Sequence, residues 1–154
     1  MTATTTETPV QTLEIVREEV IDAPIEIVFQ AILDEIGPES QMLDGRSFPM
    51  TLEPWPGGRW FRDLGNNAGH FWGNVQVIKP PMLLELAGPM MMSYASANHI
   101  QYRLVSEGAT TRLKFRHQAI GLITDDHRTG VQEGWSFKLN RVRNLATQRA
   151  TSHV

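Results

Sequence analysis

The side chains best suited to chemistry in this sequence are five histidines, four tryptophans and two closely spaced arginines. His70, His99, His117, His127 and His153 raise the question of a metal. No two stand at a tight ligand spacing such as His-x-x-x-His, and there is no cysteine to help, so no metal is expected. His117 stands apart. In the run TTRLKFRHQAIG it alternates onto one face with Leu113, Phe115 and Ala119, while His99 falls on the opposite face of its own run. An imidazole there is either a core group hydrogen-bonded to a neighbouring strand, or a polar anchor or acid/base at a pocket floor. Arg62 lies two residues from Trp60, on the same strand face if the strand is regular. An inward arginine needs a carboxylate, Asp63 or Glu53, or an anionic ligand group. A bulge would turn Arg62 outward and make Arg59 the inward alternative, so one of the two is expected in solvent.

Trp55 and Trp60 flank the turn Pro56-Gly57-Gly58 in EPWPGGRWF. The turn bends the chain so that both indoles can stand on one concave side, and Trp72, Tyr102, Phe115 and Trp135 could face the same space. Large flat rings either fill a solid core or wall a pocket for an apolar ligand. Three consecutive methionines, Met90 to Met92, cannot all face one way, and Met91 is a candidate for an adaptable pocket rim. Gly121, Leu122 and Ile123 precede the last helix and are candidates for a lid or for an ordinary connector. Asp125 and Asp126 read as helix cap and dipole complement. No nucleophile elbow, Walker loop or dinucleotide fingerprint is present, and no cofactor is implied.

The elements that must position these groups follow from periodicity. LEIVREEVI, from Leu13, predicts a strand, and DAPIEIVFQAILDEIG predicts a helix with Pro24 in its first turn and a stop at Gly37-Pro38. Ile25, Phe29, Ile32, Leu33 and Ile36 recur on its apolar face. A connector follows, and then about six short runs separated by turn signals, which predict an antiparallel meander. Asp125 to about Gln148 is an amphipathic helix with Val131, Trp135, Leu139, Val142 and Leu145 or Ala146 on one stripe. Strands segregated from helices make the class α+β.

The 154 residues, 41% hydrophobic and 20% charged with net charge −3, fit one ordinary globular domain over residues 13–150, behind a polar, Thr-rich tail at 1–12 that is expected to be disordered. No basic footprint for nucleic acid, no signal peptide and no membrane-length apolar run is seen, and a cytoplasmic location is expected.

Taken together, APIEIVFQAI, the Pro-Gly-Gly-Arg turn, GHFWGNVQVIKPPMLLEL, NHIQYRL, TRLKFRHQAIG and the Gly134-Trp135 pair resemble the SRPBCC, or START-like, helix-grip superfamily. Within it they are similar to the branch named for the C-terminal domain of the activator of the heat-shock-protein-90 ATPase. The resemblance covers nearly everything after Leu13. It implies a curved antiparallel sheet of six or seven strands around a long C-terminal helix, and a cavity between them for a hydrophobic small molecule: lipid-like, aromatic or polyketide-like. With that implication the aromatics become a pocket wall, and the expected ligand-binding set is Trp55, Trp60, Arg62, Trp72, Met91, Tyr102, Phe115, His117, Trp135 and Leu139. The first expectation is a binding module. The alternatives are a cavity enzyme, of cyclase, dehydratase or hydrolase type with His117 as acid/base, and, last, a chaperone partner. A homodimer is compatible with exposed apolar loop residues.

Overall fold

A computed structural model of the chain describes residues 2–152; His153 lies outside them. The elements in order are β1 (Gln11–Ile21), α1 (Ile25–Glu35), β2 (Thr51–Leu52), β3 (Arg59–Gly65), β4 (Ala68–Lys79), β5 (Leu83–Gly88), β6 (Ser96–Glu107), β7 (Thr110–Gly121) and α2 (Asp125–Ser152). The strands form one antiparallel sheet in the order β1-β7-β6-β5-β4-β3-β2. This is the α+β helix-grip architecture. The first strand starts at Gln11, two residues before the expected Leu13, because Gln11 and Thr12 still pair with Gly121 and Ile120.

Alternation sets the inner face. Ile100, Tyr102 and Leu104 of β6, and Leu113, Phe115, His117 and Ala119 of β7, are buried, while the residues that alternate with them face the other side. The C-terminal helix covers this face with Val131, Trp135, Leu139, Val142 and Ala146. Burying each of the larger side chains is worth about 1.5–3 kcal/mol. Thr124 caps α2: its hydroxyl accepts from the His127 backbone N–H at 3.2 Å. That leaves Asp125 and Asp126 exposed in the first turn, where the dipole favours them.

The first helix tucks against α2. Arg149 fastens α2 to Asp34 of α1 at 2.7 Å and to Glu39, just beyond that helix, at 2.6 Å. Between α1 and β2 runs an irregular connector that doubles back through a Gln41–Ser47 bridge. It places Met42, Leu43 and Phe48 opposite the first half of α2, with consequences for the site.

Candidate functional site

The expected hollow over the centre of the sheet is closed by rings. Phe115 and Trp135 stand 4.5 Å apart between centroids, Tyr102 and Phe115 5.1 Å, and His117 and Trp135 5.7 Å. His117 sits in this packing fully buried. Its Nδ1 accepts from Trp135 Nε1–H at 2.9 Å, and its Nε2 lies 2.7 Å from Asn98 Oδ1. An indole N–H only donates, so Nδ1 must be the bare nitrogen and Nε2–H donates to Asn98. Burial pushes the imidazole down to about 4, with a smaller contribution from His127, so it is neutral at pH 7. With both nitrogens engaged, no lone pair or proton is left for a substrate. This is the core imidazole among the two roles open for His117, and the acid/base alternative loses its geometric basis.

The tryptophans separate. Trp60 is buried and donates its Nε1–H to Ile36 O at 2.8 Å, pinning the end of α1 to β3. Trp55 does not join it: the residue is 54% exposed. The reason is the turn itself. Gly57 adopts φ +83°, and a Cβ on Gly58 would lie 1.9 Å from Glu53 O, so the chain folds tightly back on Glu53 and throws Trp55 outward. Trp72 is turned inward by a bulge. Trp60 pairs with Gly73 and Phe61 with Phe71, leaving Trp72 as the extra residue of β4. Its ring meets Trp60 edge-on at 5.1 Å and lies 6.2 Å from Phe48.

The arginines divide as expected. Arg59 is in solvent, forked onto Glu53 at 2.8 and 3.0 Å. Arg62 is half-buried; it lies over the Phe48 ring at 4.4 Å and donates to Pro49 O at 2.5 Å. A cation–π contact and a carbonyl thus replace the carboxylate that its burial calls for.

The open space is displaced to one side. A cleft of about 450 Å³ lies between the first half of α2 and the α1–β2 connector. Trp72, Trp135, Phe48, Phe137, Val131 and Met91 make much of its wall, and Met42 and Leu43 lie at its edge. Of the expected ligand-binding set, Trp72, Met91 and Trp135 border the cleft. Trp60, Tyr102, Phe115, His117 and Leu139 are buried behind it, Arg62 lies beyond Phe48, and Trp55 is on the far turn. The predicted lid is elsewhere too. Ile123 is buried, Leu122 N–H bonds Ala95 O at 3.0 Å, and a Cβ on Gly121 would strike Ala95 O at 2.3 Å. Those contacts make residues 121–123 a fixed connector.

Sequence reasoning missed Phe48, Phe137 and the polar residues of the cleft. His127, Gly130, Val131, Gly134, Trp135 and Lys138 all line it. Their spacing of three, one, three, one and three is one helical stripe. Continuing the Val131–Trp135 stripe toward its flanks would have found them.

Beneath Lys138 lies an unexpected buried acid. Glu35 is fully buried at the end of α1, with Oε1 3.3 Å from Lys138 Nζ and 3.9 Å from Arg141 Nε; Lys138 also donates to Ser40 Oγ at 3.1 Å. Burial pushes the Glu35 carboxyl up to about 7, outweighing the pull of Lys138 and Arg141. Its Oε2 and the Tyr102 hydroxyl have no hydrogen-bond partner within the described residues. Burial, with Glu35 nearby, holds the Tyr102 phenol well above its usual range. Among the described residues no three His, Cys, Asp or Glu side chains form a group that could hold a metal, and no helix is long and apolar enough to cross a membrane.

A sheet gripping a long helix, with an apolar cleft bordered by that helix, defines the class as a helix-grip domain with a small-molecule-sized opening. The chain belongs to the family described as "Activator of Hsp90 ATPase homolog 1-like protein", whose profile matches residues 22–146. No curated protein matches the sequence. Among solved structures it is similar to a putative uncharacterized protein from Rhizobium leguminosarum, at 16% identity and TM-score 0.73, covering 93% of this chain and 99% of that one. It is also similar to CalU16 from Micromonospora echinospora, at 19% identity and TM-score 0.61, covering 96% and 93%. A third is the di-domain ARO/CYC StfQ from the steffimycin biosynthetic pathway, at 10% identity and TM-score 0.62, covering 91% of this chain and 52% of that one. At these identities the likeness is one of fold.

Proposed function

We propose that this domain binds a hydrophobic small molecule in the cleft between α2, Trp72 and the α1–β2 connector. The carrying observation is the opening itself: about 450 Å³, walled by two indoles, two phenyl rings and aliphatic side chains, within the roughly 300–1,000 Å³ usual for ligand sites. Apolar burial supplies the affinity, and the few polar side chains at the ends supply orientation. The family and the fold of its structural neighbours agree with this use of the cleft. StfQ is described as an ARO/CYC of a biosynthetic pathway, so ring-forming chemistry is the enzyme counterpart of this reading. For this chain that chemistry would not run through His117, whose nitrogens are both occupied.

The test is saturable uptake of a neutral dye, Nile red, by the wild type and by Val131→Trp, which fills the cleft from α2. We expect a blue-shifted, saturable signal in the wild type that Val131→Trp abolishes while keeping its cooperative unfolding. Equal binding by both proteins, or no binding by the wild type, overturns the proposal.

A further inference from the structure

Most polar groups around the cleft already have partners. Lys138 is held by Glu35 and Ser40, and Asp44 by Arg46 at 2.6 Å. His127 differs. Its Nδ1 lies 2.5 Å from the Tyr94 hydroxyl, and the two rings meet edge to face at 5.3 Å. Among the described residues its Nε2 has no partner, and the residue borders the cleft. Burial lowers its proton affinity from an ordinary value already below neutrality, so at pH 7 the ring is uncharged. The Tyr94 hydroxyl can donate a hydrogen bond to Nδ1, and in that arrangement the single N–H of the neutral imidazole sits on Nε2. With Tyr94 as the donor, the ring presents one N–H at the N-terminal end of the cleft.

The wall beyond it is unusually smooth. Gly130 and Gly134 lie on the same helical stripe, and a Cβ built on either meets nothing within 4 Å. Glycine inside a helix costs about 0.5–1 kcal/mol against alanine, and packing within the chain does not require it here. The two glycines open the helix backbone to whatever lies in the cleft. From His127 to Lys138 the stripe runs roughly 16 Å, at 1.5 Å per residue. Its one cation, Lys138, is engaged by Glu35 at 3.3 Å and Ser40 at 3.1 Å at the far end of the stripe from His127.

Taking the cleft to be the ligand site, we propose that His127 orients the ligand: its Nε2–H donates a hydrogen bond to a carbonyl-type oxygen at one end of a neutral, elongated apolar molecule lying along Gly130 and Gly134. His127 contacts the ligand, and Tyr94 is a positioning residue acting through it.

The experiment uses a matched pair of neutral fluorescent probes: 6-propionyl-2-(dimethylamino)naphthalene and its propyl analogue, which lacks the carbonyl. Replacing His127 by Phe keeps an aromatic ring and removes the donor. A hydrogen bond of ordinary net strength predicts that His127→Phe weakens the ketone about three- to tenfold and leaves the propyl compound unchanged. Tyr94→Phe, which frees Nδ1, should weaken the ketone part of the way and also leave the propyl compound unchanged. Nitrogen-15 spectra of wild-type His127 should show the Nε2-protonated neutral ring, with that N–H shifting on addition of the ketone and not of the propyl compound. Equal losses for the two probes, no loss for either, or an Nδ1-protonated ring overturns the inference. If both probes bind, Val131→Trp expels both, and His127→Phe does not discriminate, the inference falls and the cleft stands. If neither probe binds the wild type, the cleft reading falls and takes the inference with it.

Discussion

Replacing His117 by Ala separates a structural imidazole from a functional one. The substitution strips two buried partners, Trp135 Nε1–H and Asn98 Oδ1, of their hydrogen bonds. Each orphaned group costs about 1–3 kcal/mol, and the vacated ring volume adds to this, so the loss is about 3–5 kcal/mol. Against a total stability of about 5–15 kcal/mol that is a large fraction, readable by urea unfolding at pH 7. His117→Gln carries both a donor and an acceptor and should recover part of the loss. The pH dependence gives a second reading. The folded imidazole titrates near 4 and the unfolded one near 6.5, so its contribution is complete above 6.5 and is lost as pH falls through 4. That gap amounts to about 3 kcal/mol at 1.36 kcal/mol per pH unit. The advantage of the wild type over His117→Gln should therefore shrink by about 3 kcal/mol between pH 7 and pH 4. An advantage independent of pH, or a His117→Ala protein within about 1 kcal/mol of wild type, would refute the sealed imidazole.

Glu35 should behave in the opposite sense. Its folded carboxyl titrates near 7 against an ordinary 4.5, so its stabilising contribution is complete below 4.5 and is lost as pH rises through 7; between pH 5 and 8.5 the wild type should lose about 3 kcal/mol relative to Glu35→Gln in urea titrations. Since the His117 and Glu35 slopes oppose each other between about pH 4.5 and 6.5, only the paired variants expose them. Gly130→Ala and Gly134→Ala should each raise stability by about 0.5–1 kcal/mol while weakening Nile red binding, because the added methyl meets open cleft and no protein atom. Destabilisation by either alanine would refute the free space assigned to the glycines.

Much of the frame was legible because period carries burial directly. The alternation in TTRLKFRHQAIG and the Val131–Trp135–Leu139–Val142 stripe name the inner faces of β7 and α2 residue by residue. Two features were not legible, each for a physical reason, and the route to a third was hidden. Trp72 faces inward as expected, but by way of a bulge that inserts it between Gly73 and Phe71, and a one-residue insertion leaves no mark on composition. Trp55 faces outward from a tight turn in which its N–H bonds Glu53 O and its carbonyl accepts from Gly58 N–H. Glu35 falls on the buried side of α1 because Lys138 and Arg141 approach from a helix more than a hundred residues later, and local sequence does not report that meeting. The cleft has the same origin: it forms where an irregular connector meets the α2 stripe, and the connector has no period to read.

His117 and His127 show how strongly partner count governs what a residue type can do. They lie close enough for His127 to depress the His117 proton affinity, and both are neutral at pH 7. Trp135 and Asn98 consume both nitrogens of the first, and Tyr94 consumes one nitrogen of the second. Trp135 donates to His117 and also lines the cleft, so its indole is held in place from behind while it borders the open space. A wall ring anchored in this way cannot rotate to follow a guest, whereas Met42 and Leu43 of the connector opposite are exposed. On the proposed use of the cleft, selectivity for shape would come from Trp135 and Trp72 with the glycine trough, and selectivity for a polar end from His127. Ligands that differ only in bulk toward Met42 and Leu43 should be tolerated, whereas those thickened toward Gly130 and Gly134 should be rejected.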